Sequence, residues 1–132
     1  MLTHLLDTNV CIYALKRRSP ELERRFTEGS GRLAVSDVSL YELYYGAQRY
    51  DDPSQRLNII ETFLARLEIL PFDSRAALHA GQIRADLERK GLMIGAYDIM
   101  IAGCARSQGL ILVTGNTREF ERVDGLRLEN WS

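Results

Sequence analysis

The sequence predicts an α/β protein, a three-layer α/β/α sandwich built on a mainly parallel sheet. Short apolar runs of strand length alternate along the chain with longer segments of helical periodicity. The run at residues 110–114 is almost entirely apolar, which is typical of a parallel strand buried on both faces. Strands joined through helices make right-handed crossovers, and these place helices on both faces of the sheet.

The first half of the chain is predicted to contain two strands and four helices. Cys11, Ile12 and Leu15 recur at helical spacing after the first strand. Pro20 suits the first turn of a helix, and Gly29 is a signal that ends one. The predicted order is a strand at residues 2–6, helices at 9–16 and 20–28, a strand at 33–35, and helices at 39–50 and 54–67.

The second half is predicted to contain three strands and three helices. Asp73 and Ser74 form an N-cap signal. Gly91 and Gly109 are signals for the C-terminal ends of helices. The predicted order is a strand at residues 68–72, helices at 74–90 and 97–108, a strand at 110–114, a helix at 117–122 and a strand at 126–129.

The composition limits the classes of function. A chain of 132 residues favours one domain over its whole length, residues 1–132. Its 17 basic and 18 acidic residues lack the basic excess of proteins that hold nucleic acid by bulk electrostatics. No apolar run approaches the ~20 residues of a membrane span, so we expect a cytoplasmic protein without membrane contact. Cys11 and Cys104 lack zinc-ligand spacing and are expected to be buried free thiols.

Four acidic residues follow or flank the predicted strands. Ligands of parallel sheets bind beyond the carboxyl ends of the strands. If the four segments meet at that edge, their carboxylates converge and need a hard cation such as Mg²⁺ or Mn²⁺. The residues are Asp7 after the first strand, Glu42 in the first turn of the helix after the second, Asp98 at the start of the helix after Gly95, and Glu119 after the 110–114 strand.

Each acid also has a purely structural interpretation, and the local sequence leaves both open. Asp7 has the position of an N-cap, and residues 39–42 match a capping box in which Glu42 serves its own helix. Asp98 would be favoured in a first helical turn by the helix dipole, and Glu119 could be solvated. The neighbouring Thr8 and Asn9 could hydrogen-bond the carboxylates or the attacking water.

Four segments of the chain resemble the signature blocks of PIN-domain ribonucleases, most closely the VapC toxins of bacterial VapBC toxin–antitoxin pairs. They occur in the family's order, and the resemblance extends from residue 1 to residue 131. The segments are residues 6–9 (LDTN), 39–46 (SLYELYYG), 95–102 (GAYDIMIA) and 114–120 (TGNTREF).

The resemblance implies a PIN-like fold and a Mg²⁺-dependent endoribonuclease, with Mn²⁺ as a substitute. It implies that Asp7 and Asp98 bind the metal, while Glu42 and Glu119 complete the cluster and position or deprotonate the water. Many PIN domains carry an Asp two residues after the Thr of the last block. In this chain that Thr is Thr114, and Asn116 stands at the Asp position. We expect Glu119 to substitute for that acid and Asn116 to orient a ligand.

The resemblance also implies substrates and partners. Members of the family hydrolyse structured RNA, often tRNA, and leave a 5′-phosphate, and enteric members cut initiator tRNA in the anticodon loop. They are inhibited by a VapB-type antitoxin and usually form homodimers or toxin–antitoxin hetero-oligomers.

Basic and aromatic residues supply candidate contacts for RNA or a partner. Lys16, Arg17, Arg18 and Arg118 are candidate RNA-phosphate contacts, although solvated helix faces carry similar charges. Tyr41, Tyr44 and Tyr45 share one flank of a predicted helix. Core packing, base stacking and a groove for an apolar partner segment all fit that spacing.

Two other classes of function compete with the nuclease. A phosphatase of similar build requires D-x-D, but Asn9 stands at the second Asp position, and a receiver domain requires a late Lys, but none follows Lys90. A catalytically weak PIN-like module that binds RNA or a partner is the other alternative, because Asn116 departs from the family pattern.

Overall fold

The chain folds around a five-stranded sheet in which every neighbouring pair of strands is parallel. The computed structural model describes residues 1–16 and 19–131. The strands are β1 (His4–Leu6), β2 (Leu33–Ser36), β3 (Glu68–Leu70), β4 (Ile111–Val113) and β5 (Leu128–Glu129). Their spatial order is β3-β2-β1-β4-β5, which confirms the predicted parallel sheet.

Helices connect the strands and cover both faces of the sheet, as predicted. They are α1 (Thr8–Lys16), α2 (Pro20–Glu28), α3 (Asp37–Gln48), α4 (Pro53–Leu64), α5 (Ser74–Lys90), α6 (Ala96–Gln108) and α7 (Thr117–Phe120). Most boundaries lie within a few residues of the predicted ones. The largest shift at a helix start is that of α3, which begins at Asp37 rather than at Ser39.

Two hydrophobic cores lie on opposite faces of the sheet because successive strand residues point to opposite sides. Leu5 belongs to the core beneath α5 and α6, and the next residue, Leu6, belongs to the core beneath α1, α2 and α4. Both are fully buried, and each contributes about 1.5–3 kcal/mol of hydrophobic stabilisation. Cys11 and Cys104 are free and buried, as predicted. Within the described residues, no helix is long and apolar enough to cross a membrane.

Helices α5 and α6 approach each other closely at Gly103. A Cβ atom at this position would lie 2.8 Å from the Ala76 carbonyl oxygen and 2.8 Å from the Ala80 nitrogen. No side chain fits there without moving backbone, so glycine sets the spacing of the two helices. This contact matters for the site because α6 carries Asp98 in its first turn.

The sheet has its topological switch point between β1 and β4. From β1 the chain continues to β2 and β3 on one side of the sheet, and from β4 it continues to β5 on the other side. This reversal leaves a crevice beyond the carboxyl ends of β1 and β4. Leu6 is in register with Val113, so Asp7 and Thr114 stand side by side as the first residues beyond the paired strands. The Asp7 backbone N–H donates to the Val113 carbonyl oxygen at 2.9 Å, which fixes the start of the crevice.

Candidate active site

Asp7 is the central and most buried acid of the crevice, with 2% of its surface exposed. The Thr8 backbone N–H donates to its Oδ1 at 2.8 Å, and Thr114 Oγ1 donates to its Oδ2 at 2.9 Å. Burial raises the pKa of this carboxyl, and the two hydrogen bonds only partly counter that effect. Each Asp7 carboxylate oxygen accepts one of these hydrogen bonds and keeps a further lone pair for another ligand. The buried position disfavours the negative charge of Asp7 unless a cation neutralises it.

Glu42 lies in the second turn of α3, not in the first turn as the sequence suggested. Ser36 is the N-cap, and its Oγ accepts the Val38 N–H at 2.9 Å. Ser39 therefore lies inside the helix, and the capping-box interpretation of residues 39–42 is wrong. Ser36, the last residue of β2, caps the helix with its hydroxyl, so α3 begins two residues earlier than predicted.

A hydrogen-bonded chain holds the Glu42 carboxylate in place. Thr8 Oγ1 donates to Glu42 Oε1 at 2.7 Å and also lies 2.7 Å from Ser39 Oγ. Because Thr8 gives its only hydroxyl hydrogen to the carboxylate, Ser39 must be the donor in the other bond. Thr8 and Ser39 are both buried, so this chain is a fixed part of the site.

Asp98 lies in the first turn of α6 and is half-buried. A Cβ atom at Gly95 would lie 3.3 Å from Asp98 Oδ2, so glycine at the N-cap leaves space around this carboxylate. Burial first, and then the negative charges of Asp7, Glu42 and Glu119, raise the pKa of Asp98 to about 6. The fold thus brings the other three predicted acids within electrostatic range of Asp98.

Glu119 is tied to Asn116 at the start of α7. Asn116 Nδ2 donates to Glu119 Oε2 at 3.0 Å, while the Asn116 backbone N–H donates to Thr114 Oγ1 at 2.9 Å. Asn116 thereby links Glu119 to the threonine that hydrogen-bonds Asp7. The solvated-acid interpretation of Glu119 does not describe this half-buried, hydrogen-bonded side chain.

The donor set fits a divalent cation that keeps most of its water. In the described part of the chain, none of the four acids forms an ion pair. Nor do those residues include a group of three or more His, Cys, Asp or Glu side chains that could hold an ion by themselves. Mg²⁺ usually takes only one or two protein carboxylates together with water and substrate phosphate. Asp7 and Asp98, which are close enough for the charge of Asp7 to raise the pKa of Asp98, would supply that number of carboxylates.

The other predicted contacts lie around this crevice. Asn9 is exposed and lines a pocket of about 160 Å³ with Gly115 and Trp131. In the described structure, Asn9 makes no hydrogen bond to the four acids. Lys16 is exposed at the end of α1, and Arg118 is exposed beside Glu119. Arg17 and Arg18 lie outside the described residues.

The three predicted tyrosines have different environments. Tyr44 packs against the core, whereas Tyr41 and Tyr45 are 54% and 58% exposed. Tyr41 is paired with Tyr97, which sequence reasoning missed: Tyr97 Oη donates to Tyr41 Oη at 3.2 Å, and the rings meet edge-on with centroids 5.4 Å apart. The available signal was position, since each tyrosine directly precedes one of the acids, Glu42 or Asp98.

Comparison with known proteins identifies the family to which the chain belongs. The PIN domain family matches residues 4–126. The chain is 51% identical over 132 residues, covering 100% of both proteins, to the tRNA(fMet)-specific endonuclease VapC of Shigella flexneri.

Two solved structures share its fold over nearly the full length. The DNA-bound VapBC of Salmonella typhimurium matches with a TM-score of 0.97 and 48% identity, covering 100% of both chains. VapBC2 of Rickettsia felis, bound to a DNA fragment from its promoter, matches with a TM-score of 0.94 and 34% identity, covering 99% of this chain and 100% of the other. The chain belongs to the PIN domain family, and within it to the VapC group.

Proposed function

We propose that this chain is the toxin of a VapBC-type toxin–antitoxin pair and acts as a metal-dependent endoribonuclease. The observation that carries the proposal is the state of Asp7: a carboxylate buried at the switch point, held by two neutral donors and without a cationic partner among the described residues. Asp98, with its pKa raised to about 6, faces the same deficit of positive charge. A divalent cation between them would remove both penalties.

In this mechanism Asp7 and Asp98 hold Mg²⁺, and Mn²⁺ can replace it. When bound, the ion lowers the pKa of a coordinated water and neutralises charge on the phosphodiester. Glu42, fixed by Thr8, accepts the proton of the attacking water, whose oxygen forms a bond to phosphorus. The bond from phosphorus to the 3′ oxygen breaks, and this oxygen takes up a proton from solvent water. The products are a 5′-phosphate and a 3′-hydroxyl. Glu119, oriented by Asn116, adds negative charge that strengthens cation binding.

The proposed substrate is tRNA, with the anticodon loop of initiator tRNA as the cleavage site. The similarity to an endonuclease specific for tRNA(fMet), at 51% identity over the whole chain, supports this choice. We place the activity in the cytoplasm, where that RNA is found, and treat residues 1–132 as one PIN domain.

The proposed partners are a VapB-type antitoxin and a second copy of the chain. Relatives with the same fold occur in the VapBC structures of Salmonella typhimurium and Rickettsia felis, which supports the antitoxin assignment. The exposed rings of Tyr41 and Tyr45 flank Glu42 and offer an apolar surface to a partner segment that reaches the acids.

The test uses the purified chain, freed of any partner, and transcribed initiator tRNA. Cleavage should require Mg²⁺ or Mn²⁺ and stop with EDTA, and Asp7→Asn and Asp98→Asn should each reduce it by at least a hundredfold. Asp51→Asn is the matched control, because Asp51 is exposed and has no ion pair among the described residues. Cleavage that persists in EDTA contradicts the metal mechanism, and full activity of either site variant removes that residue from it.

A further inference from the structure

A groove of about 470 Å³ lies between α1, α3 and α4 and shares Glu42 with the acid site. Glu42 is the one acid among the residues that line it. Apolar side chains such as Ile12 and Ile59 form much of the rest of the lining. A strand bound at the acids would therefore meet this groove at Glu42.

Three cationic side chains line the groove: Lys16, Arg49 and Arg56. They come from different elements: Lys16 ends α1, Arg49 follows α3, and Arg56 lies in α4. All three are exposed, and none forms an ion pair within the described residues. Other basic residues of the chain, such as Arg24 and Lys90, are neutralised by neighbouring acids.

Two of these cations are held against aromatic rings. The Arg56 guanidinium lies 4.1 Å from the centre of the Tyr50 ring, and that of Arg49 lies 5.8 Å from the centre of the Tyr45 ring. Stacking covers one face of a guanidinium but leaves the N–H groups at its edge available to phosphate oxygens. The groove therefore presents oriented donors rather than free, flexible charges.

We propose that this groove binds a single-stranded segment of the RNA substrate adjacent to the scissile phosphate, with Arg49, Arg56 and Lys16 on its phosphates. This inference rests on the proposed ribonuclease function. Charge complementarity selects the occupant: a polyanion supplies a partner for each of the three cations, whereas an apolar protein segment would desolvate them unpaired. The groove is too small for a duplex, and single-stranded RNA can place bases against apolar and aromatic side chains.

The experiment measures binding of transcribed initiator tRNA in EDTA, where binding is separated from cleavage. The double variant Arg49→Gln/Arg56→Gln should bind at least tenfold more weakly. The slope of log K against log salt should fall by about 1.4 to 1.8, because each lost phosphate contact removes about 0.7 to 0.9. In cleavage assays with Mg²⁺, the same variant should raise KM and keep kcat within about twofold.

Arg32→Gln is the matched control. Arg32 is also exposed and has no ion pair in the described structure. It precedes β2 at the amino ends of the strands, whereas the acids lie at the carboxyl ends, so its removal should leave RNA binding unchanged. The single variant Arg56→Lys should keep most of the wild-type salt slope, since it retains the charge.

Unchanged RNA affinity and salt slope in the double variant would overturn the groove assignment. So would a double variant that keeps RNA affinity and loses affinity for an antitoxin-type protein, since the groove would then bind protein. Both outcomes are separate from a failure of the proposed function, which would appear as wild-type chain that does not cut RNA with Mg²⁺.

Discussion

Thr8 Oγ1 donates a 2.7 Å hydrogen bond to Glu42 Oε1, joining the start of α1 to the second turn of α3. The same residue donates its backbone N–H to Asp7, so one threonine orients two of the four acids. These two contacts are separable, because a side-chain substitution removes the first and leaves the second.

Thr8→Val should lower the cleavage rate about 10- to 100-fold, the usual cost of losing a residue that orients a functional carboxylate. The isosteric side chain keeps the packing and the Asp7 contact but leaves Glu42 unrestrained. Single-turnover cleavage of tRNA measures the effect, and thermal unfolding checks that the fold persists. Thr8→Ser should retain most of the activity; equal losses in both variants would show that the hydroxyl is not the cause.

The contact between Asn116 and Glu119 predicts a non-additive pair of substitutions. If Asn116 acts by holding Glu119, Asn116→Ala and Glu119→Gln should each reduce cleavage, and the double variant should be no slower than Glu119→Gln alone. Cleavage rates of the four proteins form the cycle. Multiplicative losses would instead assign Asn116 a role independent of Glu119.

The sequence predicted those site features that depend on one segment at a time. Asp7 follows an apolar strand, Asp98 opens a helix, and the parallel topology brings both to the same edge. The start of α3 was misplaced because Ser36 and Ser39 are both serines, a residue type favoured at N-caps. Only the packing shows that the hydroxyl of Ser36 is the one that caps the helix.

Features that combine several elements were beyond sequence reasoning. Arg49 and Arg56 join Lys16 only because α3 and α4 pack beside α1, and a net charge of −1 gives no indication of that grouping. The Tyr41–Tyr97 pair likewise depends on the contact between α3 and α6.

The close approach of α5 and α6 predicts opposite effects for two glycine-to-alanine changes. Gly103→Ala should destabilise the protein by about 1–3 kcal/mol, because its Cβ would meet the backbone of α5 at 2.8 Å. Gly81→Ala, on the exposed side of α5 with no atom within 4 Å of the added Cβ, should stabilise it by about 0.5–1 kcal/mol. Denaturant unfolding measures both changes, and destabilisation by both would contradict the packing argument.

The raised pKa of Asp98 predicts how the stability of the protein depends on pH and on metal. Its pKa is about 6 in the folded, metal-free protein and 3.8 as the ordinary value, so between those values the folded state binds more protons than the unfolded state. Stability without metal should therefore fall as pH rises from about 4 to about 6.

At pH 7 in EDTA, Asp98→Asn should be more stable than the wild type by on the order of 1 to 2 kcal/mol, and this advantage should shrink towards pH 4. Saturating Mg²⁺ should reverse the order, because only the wild type keeps both carboxylates to bind the cation. Denaturant unfolding at several pH values, with EDTA or Mg²⁺, measures the effect, and an advantage independent of pH would contradict the assigned cause.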